Sequence, residues 1–364
     1  MGKNAKIGII TWHYFFNVGS NFQAYALQHT LESLGRDVRI INYRRGHVSI
    51  ARRIKGYIRY SLCNIYSFLP EFGKTYLGFE KFQKDYMHLT PLTNKKDIAK
   101  YNQFFDVFIC GSDQVWAPNV LDDVFLLSFV KKDKRKVSYA ASIGLPSIPE
   151  SKKSVYRQYL PRFDAVSVRE RQGAELLKKE FQIDAEVVLD PTLLMKPEDW
   201  RKMTSQKRIV RDNYIYCYFR GKQSWQIEYV KEIARQTGKK IVISSLLKID
   251  KKEADVLIPS VHPMQFLSLI HDADLVFTDS FHGMAFSLIF HKSFYVFYRF
   301  TDNDPVNQNS RIDNLKTITG LQDRIITDKN AVLSQKPIDY DDVDRRLDEE
   351  RKKTLCFLEK AIQI

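Results

Sequence analysis

Thr278-Asp279-Ser280-Phe281-His282-Gly283 sets a histidine where one short apolar run, Ala273 to Phe277, gives way to another, Met284 to Phe290. The first run suits a strand and the second a buried helix. Open parallel sheets bind ligands beyond the carboxyl ends of their strands. A helix amino terminus adds unpaired N–H groups and a positive dipole end, which favour a nearby anion and the neutral form of a first-turn histidine. His282 is placed for acid–base chemistry beside an anionic substrate, with Ser280 and Gly283 flanking it. The other use of such a position is a core histidine whose ring nitrogens are satisfied by backbone groups.

Arg169 follows the apolar run Ala165 to Val168 and offers a planar guanidinium fork suited to a carboxylate or phosphate. An ion pair with Glu170 or another acid is the alternative. Arg311, after Asn307-Gln308-Asn309-Ser310, has the same two uses. Asn17-Val18-Gly19-Ser20-Asn21 could cradle an anion at a helix amino terminus, or form an ordinary capped turn. Gly111-Ser112-Asp113-Gln114-Val115-Trp116 puts a hydroxyl, a carboxylate and an amide at a strand end, then an aromatic able to stack on a sugar. In the alternative, Asp113 is a cap and Trp116 is core.

Alternating apolar runs and polar turns supply the elements that must position these groups. Residues 7–12 read as a first strand, Asn17 to Asn21 as a small-residue loop, and Phe22 to Leu34 as a helix with Leu27, Leu31 and Leu34 on one face, closed by Gly35. Val38 to Ile41 supplies a second strand. The rhythm returns at 107–110, 137–140 and 165–168, and at Val187 to Leu189 before Asp190-Pro191. A parallel sheet with helices on both faces explains it.

The polar stretch Lys196 to Asp212 lacks periodicity and is read as the boundary between two domains, 1–200 and 201–364, the first carrying a basic helical insertion at about 44–100. A second series then runs through a strand at 214–219, a helix near 225–237, a strand at 241–243 and a helix near 263–271 to the histidine strand. Asp341 to Ile362 reads as a packed terminal helix with acids in its first turn.

At 364 residues and 44% hydrophobic content, the chain can bury core for about two domains of ~150 residues. Cys63, Cys110, Cys217 and Cys356 are dispersed and read as reduced, buried thiols, with neither a disulfide frame nor a metal site. No apolar run approaches the ~18 residues of a membrane span, and Lys6 to His13 is too quickly polar for a signal peptide, so the expected location is cytoplasmic.

The net charge of +14 asks for anionic partners. Arg44, Arg45, Arg52, Arg53, Lys55 and Arg59 concentrate it, interleaved with Ile50, Ile54, Tyr57 and Ile58. Residues 44–65 therefore read either as an interfacial helix at an anionic membrane face or as a surface helix packed on its own core. No recognised module accompanies the charge, so nucleic acid is not an expected partner.

As an ordered set, ITWHYFFNVGSNFQAYALQHTLESLG, FICGSDQVW, SYAASIG, VSVRERQGAELL, VLDPTLL and TDSFHGMAFSLIF resemble the polysaccharide pyruvyl transferase family over residues 7 to about 300. The resemblance implies an α/β fold of two Rossmann-like domains with a cleft between them, similar to GT-B glycosyltransferases. It implies transfer of the pyruvyl skeleton of phosphoenolpyruvate to a sugar hydroxyl pair of a surface polysaccharide or its lipid-linked precursor, closing a ketal, with no redox cofactor. Arg169 and His282 match donor-contacting positions, and Ser280, Gly283 and Arg311 are assigned with them to the donor. Asn17, Gly19, Ser20, Ser112, Asp113 and Trp116 are assigned to the acceptor. The chain departs from the family branch that carries arginine two residues before the histidine, since Ser280 stands there. Two alternatives follow: a nucleotide-sugar glycosyltransferase on the same fold, or an inactive scaffold in a glycan-assembly complex.

Overall fold

The protein is described by a computed structural model over residues 5–14, 16–45, 69–221, 224–245, 251–258, 260–301 and 303–363. One parallel sheet is built from β1 (Lys6–Ile10), β2 (Asp37–Ile40), β3 (Val107–Cys110) and β4 (Arg135–Ser138), in the order β2-β1-β3-β4. Single bridges from Val137 to Ala165 and from Ala141 to Val168 carry the pattern on to β5 (Ser167–Val168), which pairs with β6 (Glu186–Val187). The other sheet holds β7 (Tyr214–Phe219), β8 (Lys240–Ser245), β9 (Val256–Ile258), β10 (Leu275–Thr278), β11 (Phe294–Phe297) and β12 (Ile325–Ile326), in the order β12-β11-β10-β7-β8-β9. Strand order reverses between β1 and β3 in one sheet and between β7 and β10 in the other, and such reversals open ligand crevices at the strands' carboxyl ends.

The helices are α1 (Val18–Ser33), α2 (Leu69–Tyr86), α3 (Glu150–Tyr159), α4 (Arg171–Phe181), α5 (Pro197–Arg201), α6 (Ser224–Thr237), α7 (Pro263–Asp272), α8 (Phe281–Ile289), α9 (Ser310–Thr319) and α10 (Tyr340–Ala361). All six residues of β7 and all nine of α8 are buried, which is why β7 reads as an unbroken apolar run and α8 as a largely apolar one. Helix α1 begins earlier than its apolar periodicity suggests. Asn17 accepts from the Gly19 N–H at 3.1 Å and caps it, so Val18 to Asn21 is the first helical turn, not a loop.

An aromatic cluster fixes α1 against α8. The Phe22 ring lies 4.8 Å from Phe286, and Trp200 stands 5.3 Å from the first and 4.9 Å from the second. Each such ring contributes about 1.5–3 kcal/mol on burial. Trp200 belongs to α5, so the aperiodic stretch expected to be a boundary carries a fully buried anchor between the two sheets' helices.

Helix α10 crosses back from the second sheet to the first. Near its start His291 stacks on Tyr340 at 4.4 Å. Farther along, Arg351 donates to the Leu193 carbonyl at 2.6 Å, Thr354 Oγ1 accepts from the Leu189 N–H at 3.2 Å, and the Ala361 carbonyl accepts from Arg135 at 2.5 Å.

Cys110 and Cys217 are buried as expected, whereas Cys356 is exposed on α10, because it faces away from the stripe of Val343, Leu347 and Leu358. Cys63 and most of the basic stretch 44–65 fall outside the described residues. No helix among the described residues is long and apolar enough to cross a membrane.

Candidate active site

The turns after β1, β3, β5, β6 and β10 converge where the amino termini of α1 and α8 meet. The meeting is close: a Cβ on Gly19 would lie 2.1 Å from Nδ1 of His282. Only a residue without a side chain lets α1 pass the imidazole at this distance. Gly19→Ala must displace the ring, and misplacing a catalytic group by about 1 Å costs roughly 100-fold in rate. The expected result is that loss in turnover with a stability cost of about 1–3 kcal/mol, read by steady-state kinetics and urea denaturation.

Arg169 lies beneath the histidine, its side chain 1% exposed. It donates from Nη1 to Asp190 Oδ2 at 2.7 Å, places Nη2 3.8 Å from Asp113 Oδ1, and stacks over Phe281 at 4.6 Å. Its Nε and Nη2 have no hydrogen-bond partner. Burial works against the guanidinium charge, but Asp190, Asp113 and Glu170 outweigh it and raise its pKa. Burial alone would raise the two carboxyls, yet the Arg169 charge holds Asp113 and Asp190 below the usual carboxylate range.

Asp190 is the hub of the arrangement. Its Oδ2 also accepts from Ser112 Oγ at 3.0 Å, and its Oδ1 from the Thr192 hydroxyl at 2.7 Å. Nε2 of His282 stands 3.9 Å from the same Oδ1, and it has no hydrogen-bond partner. Asp113 adopts a left-handed backbone with φ +75°, sparsely populated for a residue with a side chain, and accepts from Ser20 Oγ at 2.5 Å. Burial lowers the His282 pKa to about 4, with Asp190 pulling up and Arg169 pulling down. At neutral pH the ring is an uncharged base with an open nitrogen.

Arg311, in the first turn of α9, is 8% exposed and, among the described residues, bonds only to Gln308. Among the described residues no carboxylate forms an ion pair with it. Burial first, then repulsion from Arg169 and Arg299, lowers its pKa to about 9. Burial and two neighbouring cations, outweighing the attraction of Glu170 and Asp113, favour an anion in the cleft.

His282, Arg169, Ser112, Asp113, Ser20, Gly19 and Arg311 are therefore brought together. Ser280 sits at the amino-terminal cap position of α8 with no side-chain cap bond. Asn17 is occupied as the α1 cap. Gly283 is explained by packing, since a Cβ there would meet Thr278 Oγ1 at 2.2 Å. Trp116 requires a correction: it is fully buried, donates to the Phe125 carbonyl at 3.0 Å and packs edge-on against Phe163, so it cannot stack on a sugar. Its turn folds inward because Trp116 N–H bonds the Ser142 carbonyl. Asp190 is the member that sequence reasoning left out of the site, although it ends a strand and turn of the same kind as the others. No group of three His, Cys, Asp or Glu among the described residues is placed to hold a metal ion.

The family described as polysaccharide pyruvyl transferase matches residues 17–299. No curated protein matches the chain. Among solved structures, a candidate UDP-N-acetylglucosamine 2-epimerase from Listeria monocytogenes is similar with TM-score 0.54 at 11% identity, covering 96% of this chain and 91% of that one. UDP-GlcNAc 2-epimerase from Neisseria meningitidis, bound to UDP-GlcNAc, is similar with TM-score 0.51 at 10% identity, covering 99% and 94%. At such identity the likeness is one of fold, and the expected GT-B-like α/β architecture of two parallel sheets is the one found.

Proposed function

Because the chain belongs to the polysaccharide pyruvyl transferase family, we propose that it transfers the pyruvyl skeleton of phosphoenolpyruvate to a hydroxyl pair of a glycan or lipid-linked oligosaccharide, closing a ketal. The observation that carries the donor assignment is Arg311, a buried cation without an ion-pair partner among the described residues, beside Arg169 and an unpaired histidine. Phosphoenolpyruvate carries a phosphate ester and a carboxylate on the same carbon, which two guanidinium groups can divide between them. Arg311 thereby supplies the second cation that Ser280 does not.

The donor's negative charge raises the affinity of His282 for a proton. The imidazolium gives that proton to the methylene carbon as the carbon–carbon π bond breaks. The adjoining carbon becomes oxocarbenium-like, and an acceptor hydroxyl adds to it while the freed imidazole takes the hydroxyl proton. A second acceptor hydroxyl then bonds to the same carbon as the bond from that carbon to the bridging oxygen breaks, and phosphate leaves with that electron pair and takes up the second hydroxyl's proton. Asp190 faces the imidazolium, while Ser20 and Asp113 border the acceptor side of α1. The scaffold alternative expects a histidine satisfied by backbone groups, and the open Nε2 speaks against it.

Calorimetric titration with phosphoenolpyruvate tests the reading, with a nucleoside diphosphate as the competing ligand. Binding of the nucleotide and not of phosphoenolpyruvate would overturn it. Arg311→Gln is expected to weaken phosphoenolpyruvate about 10–100-fold, the loss of one charge-assisted contact worth about 1.5–3 kcal/mol. Its melting temperature should hold or rise, because an uncompensated buried charge has been removed. An arginine with a purely structural role would lose stability instead.

A further inference from the structure

Next to this cleft, at the carboxyl ends of β11 and β12, lies a cavity of about 520 Å3 lined by Trp225, Tyr298, Phe300, Thr301, Thr327 and Asp328. None of these residues is used by the chemistry above. A second cavity of about 640 Å3 adjoins it along α6, sharing Trp225 and Lys329 and reaching Glu228, Tyr229 and Gln236. The first connects to the active site through the chain itself. Arg299, between Tyr298 and Phe300, donates to the Asp279 carbonyl at 3.3 Å, and Asp279 directly precedes the turn that carries His282.

We infer that this trough is a subsite for the glycan acceptor, seating a pyranose against the aromatic rings and the next sugars along α6. The inference rests on the glycan-acceptor reading above. Pyranose rings present C–H groups on one face and hydroxyls at the edge, so they pair an electron-rich aromatic surface with polar groups around it. The first cavity has that composition: three half-buried aromatic residues, with Thr301, Thr327, Asp328 and Lys329 exposed around them. Asp328 accepts from the Asn330 N–H at 2.7 Å and from the Thr327 hydroxyl at 3.3 Å, and it stays exposed. Two joined cavities suit a chain of sugars better than one compact nucleotide, and the second sets Glu228, Glu232 and Gln236 beside Tyr229, Ile233 and Leu333.

The test uses an array of immobilised bacterial surface oligosaccharides, two to six sugars long, probed with the full chain and its Trp225→Ala, Asp328→Ala and His282→Ala variants. The wild type is expected to bind members of three or more sugars. Trp225→Ala should weaken them about tenfold, as the loss of an aromatic contact worth about 1.4 kcal/mol does, and Asp328→Ala, at an exposed position, should also weaken them. His282→Ala, which loses one acceptor contact and leaves the trough intact, should still bind members of three or more sugars and should still weaken about tenfold when Trp225→Ala is added. Phosphoenolpyruvate titration of both trough variants should match the wild type. Undiminished glycan binding in both trough variants, or no glycan binding by a wild type that binds phosphoenolpyruvate, overturns the subsite. Glycan binding that depends on Trp225 in a protein that ignores phosphoenolpyruvate would keep the subsite and sink the donor reading instead.

Discussion

His282→Ala should lower pyruvyl transfer about 1000-fold, the middle of the range for removing a general acid–base group, while phosphoenolpyruvate still binds through its arginines. The imidazole Nε2 makes no hydrogen bond in the resting site, so its loss leaves no protein partner unsatisfied and the fold should persist. The variant also has a signature in pH. The folded pKa of about 4 lies below the unfolded value of 6.5, so the unfolded chain gains a proton first as pH falls. Stability contributed by the neutral ring is fully present above pH 6.5 and is lost toward pH 4. Urea denaturation at pH 7 and at pH 4.5 should therefore show a larger drop in the wild type than in His282→Ala. In the active enzyme, the basic limb of kcat should lie at higher pH than that of kcat/KM, because the bound donor favours the imidazolium that the proton transfer needs. Transfer at wild-type rate by the alanine variant would remove the histidine from the mechanism.

Arg169→Leu is expected to be the most destructive substitution for the fold. Asp113 and Asp190 keep their charge in the interior chiefly through this guanidinium, and breaking a buried pair by removing one partner costs about 3–5 kcal/mol. The sign of its pH dependence is opposite to the usual acid sensitivity. In the wild type both carboxyls sit below their ordinary range, so they add stability above the unfolded pKa of 3.8, and it is lost as pH falls through the folded values. In the variant, burial without the cation raises them, and protonation relieves the site. The stability gap between variant and wild type should narrow from pH 7 to pH 4 in denaturant titrations. A gap that stays constant would mean that Arg169 acts by packing on Phe281 and not as a counter-ion.

The frame and part of the site are legible in the residues alone. Tyr214 to Phe219 and Ala273 to Phe277 are unmistakable strands because buried parallel strands need no polar alternation. His282 and Arg169 stand out because each follows such a run. The rest depends on contacts that local patterns do not encode. Gly19 looks like part of a loose turn, and its role appears only when α8 brings a histidine against it. Asp190-Pro191 resembles any strand-ending turn, so nothing local marks the carboxylate that gathers Arg169, Ser112 and His282. Trp116 follows a polar turn whose inward direction is set by the Ser142 carbonyl on a neighbouring strand. The two-residue β12 and the three-residue β9 are too short for periodicity to reveal. Trp200, isolated among charges, gives no sign that it locks α1 onto α8.

The return of α10 to the first sheet has a consequence for how the chain acquires its shape during synthesis. Leu189, Leu193 and Arg135 find their last partners in Thr354, Arg351 and Ala361. The amino-terminal half therefore emerges from the ribosome with an uncovered seam, which waits for about 160 further residues before it can close. Contacts of such sequence separation form late and slowly. The cleft that gathers Arg169 and His282, whose Asp190 lies directly beside that seam, is thus assembled only after the whole second sheet has been made.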